Sequence, residues 1–129
     1  MIVDHIGFGV RDYQASKTFY STAMGPLDIT LVMEVGPDKG VNDWAAGFGR
    51  NGKPELWIGG EGLTDRAIHI AVLAESRAQV DAFHAAAMKA GATDNGKPGL
   101  RPHYHPDYYA AFVLDPDGHN IEAVCHKPA

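Results

Sequence analysis

The chain has 129 residues, 45% hydrophobic and 21% charged, with a net charge of -5 at pH 7. This suits one compact globular domain, and an acidic balance with no basic stripe argues against a nucleic-acid binder. No apolar run is long enough to span a membrane, the first residues carry no basic and apolar leader, and the lone Cys125 excludes an intrachain disulfide, so a reducing, cytoplasmic setting is expected.

Residues 2–10 read as a strand, with Val3, His5, Gly7 and Gly9 on one face and mostly apolar residues on the other. Asp12 is a helix N-cap, and a helix is expected from about 13 to 24, striped by Phe19, Tyr20, Ala23 and Met24 and stopped by Gly25-Pro26. Residues 27–35 are β-like, and a loop rich in Gly, Pro and Asp follows over 36–43. Two short strands near 44–49 and 54–59 join through Asn51-Gly52, a strong hairpin signal. Pro54 weakens the start of the second, in which Glu55, Trp57 and Gly59 share a face.

The segment 60–66 reads as a linker, and Ala67 to Leu73 as a strand with His69 and Ala71 on one face. Ser76 and Gln79 form a capping box for a helix running to about Ala90, with Gly91 closing it. Residues 94–107 are polar and turn-rich, with a strand expected around 92–97. Two last strands, 108–114 and 120–125, join through Asp115-Pro116-Asp117-Gly118. Glu122 and Val124 face one way, and Ile121, Ala123 and Cys125 the other. His119 follows the turn glycine and reads as a turn residue.

The chain also repeats itself. Asp12, Phe19, Ala23 and Met24 recur as Ser76, Phe83, Ala87 and Met88, each 64 positions later; His5 recurs as His69 and Phe48 as Phe112 at the same offset, and Glu55 recurs as Glu122 at 67. A single domain over 1–129 is therefore expected, with one module over about 1–60 and a second over about 66–126. Each module is strand, helix, then about three strands, an α+β pattern in which the sheets curve together with the helices outside. Equivalent places in two such modules would bring His5, Glu55, His69 and Glu122 together. All four lie opposite the better apolar face, beside small residues such as Gly7, Gly9 and Ala71. Four ionisable groups there are costly unless paired or bound to a cation. Two imidazoles and two carboxylates suit Zn, Ni, Fe, Mn or Co, without choosing among them. The rival reading is a pair of His–Glu hydrogen bonds satisfied inside the sheet. Trp57 shares the face of Glu55 and is a candidate pocket wall. The segment Arg101-Pro102-His103-Tyr104-His105-Pro106-Asp107-Tyr108-Tyr109 is a candidate substrate loop, with Arg101 for an anionic group, His105 for a contact, and Tyr109, or else Tyr104 or Tyr108, to stack or donate a hydrogen bond.

Four stretches carry a family resemblance: Asp4-His5-Ile6-Gly7-Phe8, the helix with Phe19-Tyr20, Ile68-His69-Ile70-Ala71, and Asp115-Pro116-Asp117-Gly118-His119-Asn120-Ile121-Glu122. Through them the chain resembles the vicinal oxygen chelate superfamily of glyoxalase I, bleomycin-resistance proteins, fosfomycin-resistance thiol transferases and extradiol dioxygenases. The resemblance implies paired βαβββ modules that make a cupped mixed sheet around a central cavity. It implies that His5, His69 and Glu122 are metal ligands and that Glu55 is an additional glutamate, a ligand that can shuttle a proton. The activity it implies is that of a glyoxalase-like lyase or isomerase acting on vicinal oxygens through a metal-stabilised enediolate, with Glu55 and Glu122 catalytic. The alternatives are a metal-free antibiotic-type binding protein, an Fe(II) dioxygenase or a thiol transferase. The resemblance also implies a homodimer, in which the ligands of one site come from two chains if modules are exchanged.

Overall fold

The computed structural model describes residues 3–39, 43–60 and 67–129, so most of the expected linker lies outside the described residues. Two modules of the same design follow one another. The first contains β1 (Ile6–Gly9), α1 (Tyr13–Ala23), β2 (Thr30–Val35), β3 (Ala45–Gly49) and β4 (Leu56–Gly59). The second contains β5 (His69–Leu73), α2 (Arg77–Lys89), β6 (Thr93–Leu100), β7 (Tyr109–Leu114) and β8 (Asn120–Cys125). Each forms a four-stranded mixed sheet, ordered β1-β4-β3-β2 and β5-β8-β7-β6. In both, the strand before the helix pairs parallel with the last strand, and the other pairings are antiparallel. This is the α+β, two-module architecture expected.

Local chemistry sets the boundaries. The Asp12 carboxylate accepts from the Ala15 N–H at 3.0 Å and Ser76 Oγ accepts from Gln79 N–H at 3.1 Å, so both helices start where their caps stand. Gly91, at φ +100, closes α2. Asn51 and Gly52 both adopt positive φ, as a two-residue hairpin turn demands. Pro54 has no N–H to give, and regular pairing in β4 starts only at Leu56. The strand expected around 92–97 runs further, to Leu100, as an edge strand with register shifts about Gly96. Its polar sequence, including Pro98, suits a strand paired on one side only.

One core serves both modules. Tyr20, Met24, Leu27, Phe48 and Ile58 from the first pack with Val80, Phe83, Val113, Ile121 and Cys125 from the second, all essentially without exposed surface. The Tyr20 hydroxyl donates to Asp115 Oδ2 at 2.5 Å, and Asp115 also accepts from the backbone N–H groups of Asp117 and His119. Burial, then the Asp115 charge, pushes the Tyr20 phenol well above its ordinary value. His119 is not the exposed turn residue its place after Gly118 suggests. It is 2% exposed, accepts from Ile68 N–H at 3.1 Å through Nδ1 and sets its ring edge against Phe8 at 4.8 Å. The turn thus bends inward and ties β8 to the first module. Among the described residues no helix is long and apolar enough to cross a membrane.

Candidate functional site

The second module presents Glu122 on the sheet face opposite the core residues Ile121 and Ala123. Parallel pairing sets Ala71 beside Glu122 and His69 beside Asn120. The Glu122 carboxylate is 2% exposed and has a partner on each oxygen: Oε1 lies 3.0 Å from His69 Nε2, and Oε2 accepts from the Tyr108 hydroxyl. Burial, then the bond to Glu122, pushes the Tyr108 phenol up to about 12. The Asn120 amide nitrogen stands 2.6 Å from His69 Nδ1, while its carbonyl oxygen is buried without a partner. Phe112 lies 6.3 Å from the His69 ring, and the Arg101 guanidinium sits over Phe112 at 5.3 Å, its N–H groups donating to the carbonyls of Lys97 and Gly99.

The first module presents the other half. Ile6 pairs with Leu56, and Ile6 N–H donates to the Glu55 carbonyl at 2.8 Å, which sets His5 and Glu55 side by side at the strand starts. Both side chains are exposed. His5 Nδ1 lies 2.9 Å from Asp4 Oδ2; Lys53 Nζ lies 2.8 Å from Asp4 Oδ1 and 3.8 Å from Glu55 Oε1. The Lys53 ammonium, with help from His5, holds the Asp4 carboxyl below its ordinary value. A shallow depression joins His5, Gly7, Lys53, Pro54 and Trp57. The Trp57 indole lies over Gly47, where a Cβ would stand only 2.9 Å from Cζ2.

Within one chain the four expected ligands stay in two pairs, His5 near Glu55 and His69 against Glu122. No three described His, Cys, Asp or Glu side chains converge to hold a cation. A cleft of about 330 Å³ runs between the modules, lined by His5 and Glu55 on one side and by Ala71 and Leu73 on the other. Arg101 stands with the His69 pair. His105 accepts from Asp107 N–H through Nδ1 at 3.0 Å and lies 5.7 Å from the His126 ring. Tyr109 is turned to the helix side, donating to Asp81 at 2.6 Å, because it pairs with the core-facing Cys125. Its neighbour Tyr108 reaches Glu122 instead. Of the candidate tyrosines it is thus Tyr108, and not Tyr109, that stands with the His69 pair, because adjacent residues leave the backbone on opposite faces.

A second correction concerns the repeat. Gly7 pairs with Trp57, as Ala71 pairs with Glu122. Val10 N–H donates to Gly59, as Ala74 N–H donates to Val124. Across the hairpins Gly47 faces Trp57, as Phe112 faces Glu122. The counterpart of Glu122 is thus Trp57, and the counterpart of Glu55 is Asn120. Phe48 and Phe112 are not equivalent either, since Phe48 is a fully buried core residue and Phe112 lies beside His69.

The sequence profile of the Glyoxalase/Bleomycin resistance protein/Dioxygenase superfamily matches residues 2–123. The chain belongs to this superfamily. Similar solved structures include a glyoxalase/bleomycin resistance protein from Albidiferax ferrireducens, 28% identical, with a TM-score of 0.74 over 99% of this chain and 100% of that one. A glyoxylase/bleomycin resistance protein/dioxygenase domain from Frankia is 19% identical, with a TM-score of 0.72 over 98% of each chain. Glyoxalase I from Zea mays is 19% identical, with a TM-score of 0.69 over 95% of this chain but 45% of that one, so this chain spans about half its length. No curated protein matches.

Members of the superfamily, glyoxalase I among them, commonly bind divalent metals. The second module's donors fit such an ion. A buried carboxylate against an imidazole is the kind of donor pair such an ion takes, and among the described residues the buried Asn120 oxygen has no partner. With the amide as placed, its N–H₂ donates into His69 Nδ1 and Nε2–H points at Glu122. Turning the amide over would set its oxygen against Nδ1–H and leave the Nε2 lone pair free for a cation.

Proposed function

We propose that the chain is a metal-dependent enzyme of the superfamily, a glyoxalase-type lyase or isomerase acting on a small substrate with two adjacent oxygens. The observation that carries this reading is the buried Glu122 carboxylate held against His69. A buried acidic side chain beside an imidazole is poorly explained by packing and well explained by a cation. His5, His69 and Glu122 would hold a divalent ion such as zinc, nickel, iron, manganese or cobalt, which when bound supplies Lewis acidity toward the substrate oxygens. His5 belongs to the other half-site, so a second copy of the chain supplies it. Among the described residues β1 and β5 are edge strands, with Ile6 and Leu73 exposed along them, and would give that copy a place to dock. A glyoxalase I chain of about twice this length is consistent with two such units per working assembly.

The chain's own residues then divide the work. Glu55, exposed on the face of His5, takes a proton from the carbon beside the substrate carbonyl and returns it to the neighbouring carbon. Tyr108 holds one oxygen of Glu122 and leaves the other for the ion. Arg101 attracts an anionic substituent, and Trp57 and Phe112 wall the space against water.

A metal-free binding protein is the second reading. It is favoured by the fact that both Glu122 oxygens are satisfied within the chain. Metal content by plasma mass spectrometry, on untagged protein prepared without chelator, separates the two. The expected result is near-stoichiometric metal in the wild type and none in His69→Ala/Glu122→Ala, with turnover of methylglyoxal hemithioacetals lost in the same variant. A wild type that holds no metal, and takes up none when zinc, nickel, manganese or ferrous iron is supplied, refutes the enzyme reading.

A further inference from the structure

Resting on that reading, we infer that Trp57 occupies the fourth-ligand place of the completed site, so that three side chains hold the ion and Glu55 is a carboxylate outside its coordination. The two modules are copies with one design, and a site at their junction draws on equivalent places in each. His5 and His69 are equivalent, since each stands seven residues before its helix cap, Asp12 or Ser76. The place equivalent to Glu122 in the first module is defined independently by the parallel pairing, by the hydrogen bond that closes it and by the hairpin register, and all three give Trp57.

Glu55 lies two residues earlier on the same strand face. That is about 6.6 Å along a strand, against metal–oxygen bonds of about 2.0–2.2 Å. Glu55 stands in the place that Asn120 takes beside His69, and its carboxylate lies toward Lys53 at 3.8 Å. The chemistry changes accordingly. An indole donates no lone pair, so two carboxylates are replaced by one carboxylate and one apolar wall. An ion held by His5, His69 and Glu122 would then be offset by one carboxylate instead of two, which suits a substrate that brings an anionic oxygen pair. A base that is not a ligand needs no bond to the ion broken before it moves a proton. Trp57 is placed for this by its neighbours: the indole lies flat over Gly47 beside Pro54, a position any side chain at 47 would fill.

Cobalt(II) titration of the metal-stripped protein, followed by visible absorption and calorimetry, tests this in the wild type, Glu55→Gln and Trp57→Glu. The expected result for Glu55→Gln is unchanged stoichiometry with affinity within about tenfold of the wild type, the lower end of what outer partners contribute, together with loss of turnover. The expected result for Trp57→Glu is tighter binding and a fall in absorption intensity as a further oxygen enters the coordination. Loss of cobalt binding in Glu55→Gln, by about a hundredfold or more, overturns the inference while leaving the metalloenzyme reading intact. Absence of cobalt binding in the wild type overturns both. Should Trp57→Glu fail to fold, the Glu55→Gln result still decides.

Discussion

Removing the Tyr108 hydroxyl should destabilise the metal-free protein, and the structure allows the size of the effect to be worked out. Glu122 is 2% exposed, and its two oxygens have one partner each. Tyr108→Phe deletes one partner while the ring keeps its contacts with Tyr104 at 5.1 Å and His126 at 5.2 Å. Little packing is lost, so the change isolates one hydrogen bond to a buried carboxylate. Leaving a buried acceptor unsatisfied costs about 1–3 kcal/mol. At about 3–5 °C per kcal/mol for a domain of this size, the melting temperature should fall by roughly 3–15 °C. The pH dependence carries a second signature. Burial and Glu122 raise the Tyr108 phenol from 10.0 to about 12 in the folded chain. A group whose folded value is raised contributes its stability fully below the unfolded value and loses it as pH climbs through the folded one. The gap between wild type and Tyr108→Phe should therefore be constant up to about pH 10 and close by about pH 12, in thermal melts followed by circular dichroism. A variant that melts within about 1 °C of the wild type at pH 7, or a gap that widens in alkali, refutes the assignment of Tyr108 to Glu122.

Two further substitutions probe the surroundings of the site. Gly47→Ala should cost about 1–3 kcal/mol by urea unfolding, because its Cβ would meet Pro54 Cβ at 2.8 Å and the Trp57 ring at 2.9 Å; an unchanged midpoint would mean that Trp57 does not rest there. Glu34→Gln should cost at most about 1 kcal/mol at pH 7, since Tyr13 and Lys17 bond its carboxylate and hold its pKa below the ordinary 4.5. That advantage exists above pH 4.5 and is lost as pH falls through the lowered folded value, so wild type and variant should converge in acid; a difference that persists once the carboxyl is fully protonated contradicts the pairing.

The helices and hairpins were legible in the sequence because their signals are local. Asp12, Ser76 with Gln79, Asn51-Gly52 and Gly91 each act through a contact within four residues, and each stands in the structure where the chain pattern put it. The strands were legible in kind but less so at their ends, since Ile6 and Leu56 become strand residues only through each other. That His69 and Glu122 lie on one face followed from strand alternation, and within one chain their contact is the His–Glu pair of the rival reading rather than a convergence of four. Which loop tyrosine faces the site was harder to read: the sequence leaves Tyr104, Tyr108 and Tyr109 open, and the choice is made by Tyr109 pairing with Cys125, which turns Tyr108 to the other face. His119 was missed because a residue after a turn glycine is usually solvated, and only the return of the turn onto Phe8 and Ile68 buries it.

The misjudged equivalence of Glu55 and Glu122 has a deeper cause. A repeat read along the sequence aligns residues of like chemistry, whereas a sheet aligns residues by hydrogen-bond register: Glu55 and Glu122 stand 67 positions apart, while Trp57, the register counterpart of Glu122, stands 65 away. Here the register also accounts for the large residues. On adjacent strands the first module carries Gly47 opposite Trp57, and the second carries Phe112 opposite Glu122. Each pair holds one aromatic ring, but on different strands. The ring on β4 covers a glycine and leaves no room for a carboxylate there; the ring on β7 stands beside the carboxylate and helps keep it dry. Two modules with the same backbone have thus taken complementary parts, one supplying an apolar wall and a histidine, the other a histidine and a buried acid. That division leaves neither module, among the described residues, with three converging donors of its own. On the proposed reading, a substitution at Trp57 is therefore expected to alter coordination more than a substitution at the nearby Glu55.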